Sequence, residues 1–280
     1  MQKKMAHNRF MLLVKCLICC GSLFAIQVQA SLMITPTRVV LDEKNRTAEV
    51  TLLNTTTTTK VYRIQWVEMR QTEMGGYKKI EAPTASDFIA SDMIRHSPRK
   101  VTIKPREYQR IKLSLRLPKG LPDGEYRSHL KMKVTDTGVT ADDIPFDGEG
   151  AKLRLIPKLS FTIPVVVRKG VIDTSTDIES VRLEVQGAKG PELKVDVVHK
   201  GEFSSFGNLI AYMKANNRSE VVKIGETHNI ALFRETKLRK VTIPLQINSV
   251  PSGAVVQVVY EGDDEFEGQQ LGTAAFTYVP

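Results

Sequence analysis

Cysteine is nearly missing from this sequence. The chain has 280 residues and 3 cysteines, and all three lie within the first twenty positions. In this segment lysine and arginine precede an apolar run, and the small-residue site Val28–Ala30 follows it, which is the pattern of a secretory signal peptide. We therefore expect residues 1–30 to be removed. The exported chain then has no thiol, which excludes disulfides, thiolate metal sites and cysteine nucleophiles.

Long apolar runs and an excess of one charge are missing as well. After the signal segment no stretch approaches the 18 or so consecutive apolar residues of a membrane-spanning helix. The formal net charge falls from +9 to +5 when the four cations of the signal segment are removed. The remaining cations alternate with acids and lack the regular aromatic residues of a nucleic-acid-binding surface. We expect neither a membrane span nor nucleic-acid binding.

The motifs of common enzymes and metal sites are also missing. The sequence has no H-E-x-x-H, no G-x-S-x-G, no Walker loop and no G-x-G-x-x-G. Its 5 histidines are scattered among polar neighbours, so we expect them in solvent. The acidic stretch Glu261–Glu267 lacks the spacing of a calcium-binding EF-hand and is more typical of a hairpin tip than of a calcium site. We expect no cofactor, no metal, no small-molecule substrate and no enzymatic activity. A hydrolase built from scattered Ser, His and Asp residues is the enzymatic alternative.

Strand-like alternation dominates the rest of the chain. Apolar residues take every second position in Ala48–Leu52 and in Ile111–Leu117, which is typical of half-buried antiparallel strands. Turn signals recur at about ten-residue intervals. A fresh series of such segments begins after Arg168-Lys-Gly170. The pattern predicts an all-β protein with two immunoglobulin-like β-sandwich domains, residues 31–168 and 169–280.

The segment Ala151–Val167 is the most informative part of the sequence. Large apolar residues share one parity of it, among them Leu153, Leu155, Leu159 and Phe161. A strand of this length spans roughly 56 Å, more than one sandwich layer needs. Pro157 cannot donate to a ladder, which suits a sheet edge. An exposed apolar edge in a soluble protein indicates that another chain supplies the missing neighbour. The alternative is a long strand folded wholly into its own core.

Four groups of residues together resemble one known family, the periplasmic chaperones of the chaperone-usher pilus pathway. The resemblance covers nearly all of residues 31–168 and, more loosely, the rest. The matching residues are Ile34–Leu41, Leu53-Asn54 with Trp66, Ser97-Pro-Arg99 before Lys104-Pro105, and Leu121–Leu130.

The resemblance implies a fold, a compartment and partners. It implies two immunoglobulin-like domains in an L-shaped arrangement and a location in the periplasm. The last strand of the first domain would be lent to an incomplete pilus subunit, which the chaperone then delivers to an outer-membrane usher. It leaves open whether the free chain caps its own edge in an oligomer. The alternative within the same system is a fimbrial structural subunit or adhesin with immunoglobulin-like domains.

The resemblance also implies roles for individual residues in subunit capture. Arg38 matches the arginine that holds the C-terminal carboxylate of the subunit between the domains. Leu153, Leu155 and Leu159, with Phe161 on the same parity, match the donor strand.

A buried ion network between the domains is implied as well. Glu125 and Arg168 match two of its members, and the third is Asp263 or Asp264, of which Asp263 is preferred. Where the family has a donor-strand lysine as second cation for the subunit carboxylate, this chain has Pro164. Our hypothesis is that Arg127 supplies that charge.

Overall fold

The computed structural model describes residues 31–136, 158–185 and 190–279. Within these ranges the regular structure is β-strand, with short 3-10 helices at Ala85–Asp87, Ser91–Met93 and Asp264–Phe266. The prediction of an all-β fold is confirmed. No helix in this part of the chain is long and apolar enough to cross a bilayer. The predicted signal peptide, residues 1–30, lies outside the described residues.

Two facing sheets form the N-terminal sandwich. The strands are β1 (Leu32–Thr35), β2 (Val39–Leu41), β3 (Thr47–Asn54), β4 (Lys60–Val67), β5 (Met69–Gln71), β6 (Tyr77–Lys79), β7 (Ile94–Ser97), β8 (Lys100–Ile103), β9 (Tyr108–Leu115), β10 (Gly124–Asp136) and β11 (Ser160–Lys169). One sheet has the strand order β1-β3-β9-β7 and the other the order β2-β11-β10-β4-β8, while β5 and β6 form a separate hairpin.

Alternation in the sequence becomes burial in this sandwich. In β9, Ile111, Leu113 and Leu115 are buried between exposed neighbours, and Val50 of β3 lies directly opposite Ile111. Each such side chain contributes about 1.5–3 kcal/mol when it leaves water. The predicted strand extends two residues too far, because β9 ends at Leu115 and the chain then turns.

The C-terminal sandwich also has two sheets, with the orders β12-β13-β16 and β15-β14-β17-β18. Leu193, Val195 and Val258 are fully or almost fully buried between them. The prediction of two β-sandwiches is confirmed, whereas the L-shaped arrangement stays a prediction. The strands are β12 (Thr176–Val185), β13 (Pro191–His199), β14 (Ser205–Lys214), β15 (Val221–Leu232), β16 (Leu238–Pro244), β17 (Val255–Gly262) and β18 (Gln270–Thr277).

A third apolar cluster joins the two sandwiches, and we call it the interdomain core. Val166 of β11 belongs to it because Val165 and Val167 point into their own sandwich, so the residue between them points outward. The C-terminal sandwich supplies the other buried members, Phe206, Ala231, Phe233 and Phe266. The outer face of the β2-β11-β10 sheet is therefore the surface on which the second sandwich packs.

Strand β11 has two neighbours over only part of its length. It pairs with β10 from Ser160 to Lys169, but β2 covers only Val165–Val167. Over residues 160–164 the side of β11 away from β10 has no strand partner among the described residues. Of the strand predicted at 151–167, residues 151–157 lie outside the described part, and β11 continues two residues beyond the predicted end.

Candidate functional site: the charged face between the sandwiches

The strand register brings the implied site residues to one face. Glu125 of β10 lies opposite Arg168 of β11, and Arg127 lies opposite Val166. Side chains of equal parity point the same way, so Glu125, Arg127, Val166 and Arg168 all face the second sandwich. Arg38 directly precedes β2 on the other side of β11. Charged side chains from three neighbouring positions of the sheet, at the start of β2, on β11 and on β10, thus lie on one face.

Arg38 is held by a carboxylate of this same chain. Its Nη1 donates to Oε2 of Glu265 at 2.8 Å, and its Nη2 donates to Oε1 at 2.8 Å. A carboxylate oxygen of Asp264 lies 3.8 Å from Nη1, and the ring of Phe206 lies 4.8 Å from the guanidinium carbon. The arginine side chain is 4% exposed. A fork-to-fork pair of this kind is the strongest grip that arginine has on a carboxylate.

Arg168 joins the sandwiches through a buried network. Its Nε donates to Oε2 of Glu125 at 2.9 Å, and its Nη2 donates to the carbonyl of Ser204 at 3.1 Å. The backbone N–H and the hydroxyl of Ser204 both donate back to the same Glu125 oxygen, at 3.0 and 2.7 Å. The Nη1 of Arg168 lies 2.7 Å from Oε1 of Glu265. Glu125 and Arg168 are therefore both buried and joined across the domain boundary, and Nη1 of Arg168 meets Glu265 at ion-pair distance without a hydrogen bond.

The acid that completes this network is Glu265, not Asp263. Asp263 instead accepts from the amide of Asn208 at 3.0 Å and from the N–H of Asp264 at 2.8 Å. It caps the 3-10 helix Asp264–Phe266, whose turn carries Glu265 toward both guanidinium groups. Alternation along a strand does not apply to a 3-10 turn, so the sequence offers no parity by which to choose among the acids of this stretch.

Electrostatics at Glu265 favour the ionised carboxylate. Burial raises the pKa of this group, but the hydrogen bonds from Arg38 and the charges of Arg38 and Arg168 outweigh it, so the pKa lies below its usual value. Asp264, at the same helix, has its pKa raised by burial against a smaller lowering from Arg38. Glu265 is thus the acid that is firmly paired, and Asp264 is an outer neighbour.

Arg127 is engaged by a different acid. Its Nη2 donates to Oε1 of Glu235 at 2.5 Å and to the carbonyl of Met69 at 3.0 Å, and its guanidinium carbon lies 3.7 Å from the ring centre of Phe233. Arg127 and Arg38 stand on lanes separated by β11, a gap of roughly 10 Å from strand spacing alone. The structure does not bring the two arginines together on one carboxylate. The role of Arg127 as second cation stays a hypothesis.

A cavity of about 300 Å³ opens beside Arg127 at the domain boundary. Its walls include Phe88 of the first sandwich and Arg234 of the second, and the Arg234 guanidinium lies 3.5 Å from the Phe88 ring centre. Arg234 also forms an ion pair with Glu202. Sequence reasoning missed Glu235 and Arg234 because their partners are far away in the chain and no local spacing marks them.

The four donor-strand residues have different outcomes. Leu153 and Leu155 lie outside the described residues. Leu159 precedes β11 and is 57% exposed. Phe161 pairs with Met132 of β10 and packs, half-buried, against the core of its own sandwich. Only Leu159 of the two described residues is therefore free to enter another chain.

The expectation that all histidines lie in solvent is wrong. His129 and His199 are buried, and the Nε2–H of His96 donates to the carbonyl of Ile64 at 3.2 Å. Burial and the neighbouring Arg127 lower the pKa of His129 to about 3. His129 has the parity of Glu125 and Arg127 on β10, so it faces the second sandwich. A neutral imidazole can be buried there, which polar neighbours in the sequence do not reveal.

Comparisons with known proteins find matches among solved structures only. No family model matches the sequence, and no curated protein matches it. Solved structures that match include the CsuC–CsuE chaperone–tip subunit complex of Acinetobacter baumannii, with 15% identity, 88% of this chain, 98% of that chain and a TM-score of 0.44. The Pseudomonas aeruginosa CupB2 chaperone matches with 12% identity, 88% and 99% coverage and a TM-score of 0.43.

A third match is the Salmonella enterica SafA pilin in complex with the SafB chaperone, with 11% identity, 89% and 97% coverage and a TM-score of 0.43. The strand orders given above establish the two sandwiches independently of these matches. Many of the solved structures that are similar to this chain are chaperones of chaperone-usher pilus assembly.

Proposed function

We propose that this protein is a periplasmic chaperone that binds incomplete pilus subunits by donor-strand complementation and delivers them to an outer-membrane usher. The proposed role is non-enzymatic and needs no cofactor. The observation that carries it is the side of β11 at residues 160–164, which has no neighbouring strand within the described ranges and begins next to an exposed leucine, Leu159. A strand edge of this kind accepts another chain through its main-chain groups.

Side chains of one parity would supply the rest of the affinity. Leu153 and Leu155 have the parity of Leu159. Three leucines that enter the core of a subunit contribute on the order of 5–9 kcal/mol before ordering costs. Phe161 contributes less, because its own sandwich already covers part of it. The proposed donor segment therefore centres on residues 153–159 and is continued by β11.

Arg38 stands where a bound strand would end. A subunit strand on the open side of β11 occupies the same lane as β2, because both lie next to β11 on the side away from β10. β2 begins at Val39, opposite Val165, so the lane is blocked from that point on. A strand running parallel to β11 in this lane would bring its C-terminus to Arg38. The guanidinium is the group best suited to hold the terminal carboxylate.

Co-expression with a candidate pilus subunit tests the proposal. We expect the subunit to accumulate in soluble form only with this protein, and the variant Leu155→Asp with Leu159→Asp to lose capture while it stays folded. Charged residues cannot enter an apolar core at acceptable cost. The matched control is Val221→Asp, at a valine that is 60% exposed on the second sandwich. It should capture the subunit as well as the wild type does.

Three outcomes would count against the chaperone role. The subunit could be equally soluble alone, the double variant could still capture it, or this protein could itself assemble into fibres. The last outcome would favour the alternative of a fimbrial subunit. Delivery to the usher is tested separately by loss of surface fibres when the gene for this protein is deleted.

A further inference from the structure

Both terminal nitrogens of the Arg38 guanidinium are already occupied in the free protein. Glu265 takes both terminal nitrogens of the guanidinium, at 2.8 Å each. The C-terminal carboxylate of a subunit is the same chemical group and would use the same two nitrogens. The arginine that we propose as the anchor for a subunit carboxylate therefore already binds a carboxylate of its own chain.

The surroundings of Arg38 leave a second carboxylate no equivalent grip. Phe206 covers the face of the guanidinium at 4.8 Å, and Asp264 lies 3.8 Å from Nη1. The other bidentate edge of a guanidinium runs through Nε and Nη2. The Nε of Arg38 is buried and has no hydrogen-bond partner among the described residues, so this edge is closed to a carboxylate that arrives from solvent. A carboxylate added beside Glu265 and Asp264 would also meet two like charges. Bidentate binding at Arg38 thus requires Glu265 to leave.

Glu265 keeps a second ion-pair partner, Arg168, when it releases Arg38. Its Oε1 already lies 2.7 Å from Nη1 of Arg168, so the carboxylate keeps one cation when it releases Arg38. Its side chain is 22% exposed, in contrast to the buried Glu125 on the other side of Arg168. The side chain can therefore move toward water at little desolvation cost.

We propose that Glu265 is an internal competitor of the subunit carboxylate, which keeps Arg38 closed in the free chaperone and is displaced when a subunit binds. Glu265 belongs to the second sandwich and Arg38 to the first, so displacement also releases one contact between the domains. Subunit binding and domain contact are thereby coupled through one shared guanidinium. This inference rests on the proposed function, because it concerns the same site.

Binding of a peptide to variants of the protein tests the competitor role. The probe is a synthetic peptide with the C-terminal strand sequence of a subunit that co-expression has shown to be captured, made with a free carboxylate and as its C-terminal amide. We expect Glu265→Gln to tighten binding of the free-carboxylate peptide by about tenfold, the size of a typical coupling between sites. Binding of the amide should not change. Arg38→Ala should abolish the difference between the two peptides.

Glu267→Gln is the matched control, at an exposed acid of the same loop. It should bind both peptides as the wild type does. If Glu265→Gln weakens binding or leaves it unchanged, Glu265 positions Arg38 or is a bystander, and the competitor role is refuted. If that variant does not fold, Glu265→Asp, which is one methylene shorter, decides: it should also tighten binding, and no tightening overturns the inference.

The two proposals fail in different ways. If the wild-type protein captures subunits but Glu265 variants do not tighten binding, the chaperone role stands and the competitor is lost. If the wild type neither captures subunits nor distinguishes carboxylate from amide, the proposed function itself fails.

Discussion

Arg38, Glu125 and Arg168 are buried charges, and all three lie where the sandwiches meet. Buried ion pairs contribute little net stability, because desolvation offsets their attraction, but removal of one partner is costly. Their contribution is to specificity, because each pair forms in only one arrangement of the two sandwiches. Arg168 forms its hydrogen bonds only when Glu125 of the first sandwich and Ser204 of the second are both in place. At the scale of single residues, these pairs therefore specify how the sandwiches meet.

Because His129 is buried at this interface, we expect acid to lower the stability of the folded protein. Its ring stacks edge-on against Tyr77 at 4.8 Å, and neither ring nitrogen has a hydrogen-bond partner among the described residues. The pKa of the folded state, about 3, lies below the unfolded value of 6.5, so the unfolded chain binds the proton first as the pH falls. The free energy of unfolding is unaffected above pH 6.5 and should fall by about 3 kcal/mol by pH 4 through this group alone.

Urea unfolding at several pH values checks this expectation. His129→Phe keeps an aromatic ring but has no titrating group, so its stability should fall less than that of the wild type between pH 7 and pH 4. The control is His228→Gln, at an exposed histidine, which should follow the wild-type profile. Parallel profiles for His129→Phe and the wild type would show that His129 is not the sensitive group.

Individual site residues were predictable only where the family resemblance covered them. Arg38, Glu125 and Arg168 were named from the resemblance, and the structure brings all three to one network through Glu265. Glu265 itself was missed because it lies on a 3-10 turn. Arg127 was named, but its partner Glu235 lies 108 residues away, a distance over which sequence alone has no pairing rule.

At the scale of elements, the hairpin β5–β6 reaches across to the second sandwich. The carbonyl of Glu73, in its turn, accepts from the N–H of Lys240 at 2.8 Å, on the edge strand β16. The backbone N–H of Gln71 donates to Glu235 at 3.0 Å. The hairpin thus covers a sheet edge that would otherwise be open and adds a second connection between the domains.

Gly75 in this hairpin offers a test of that connection. It has a φ of +80°, and a Cβ there would lie 1.7 Å from Nη2 of Arg239. Gly75→Ala must therefore bear the cost of the left-handed backbone, about 1–2 kcal/mol, and also displace Arg239 from the carbonyl of Glu73. We expect the loss of that contact to cost about 1 kcal/mol more. Urea unfolding measures both losses together.

Gly253 is the matched control because it has the same φ of +80° and no heavy atom within 4 Å of the place that a Cβ would take. Gly253→Ala should show the backbone cost alone. Equal losses for the two variants would mean that the hairpin contact with Arg239 adds nothing to stability.

Strands were predictable because their side-chain period matches the burial pattern, as in β9 and β3. Strand pairing was not predictable in the same way. The open side of β11 depends on where β2 ends, and β2 has only three residues, Val39–Leu41, too few for a periodic signal. The hairpin β5–β6 was missed for the same reason, since each of its strands has three residues.

At the scale of the whole molecule, we expect the two sandwich cores and the interdomain core to unfold as one cooperative unit. Phe233 is fully buried in the interdomain core, under the guanidinium of Arg127 at 3.7 Å and beside the ring of Tyr77 at 6.4 Å. A side chain in this position contacts residues of both sandwiches. We therefore expect the wild-type protein to unfold in a single thermal transition, with equal calorimetric and van't Hoff enthalpies.

Phe233→Ala should separate the sandwiches energetically. Loss of a buried phenylalanine costs about 3–5 kcal/mol, and here the cavity falls on the contact between the domains. We expect the single transition to split into two in calorimetry. Leu193→Ala is the control, because Leu193 is fully buried inside the second sandwich and not at the boundary. It should lower the transition temperature without splitting the transition. A single transition in Phe233→Ala, with equal enthalpies, would mean that the charged network and the hairpin couple the sandwiches without the interdomain core.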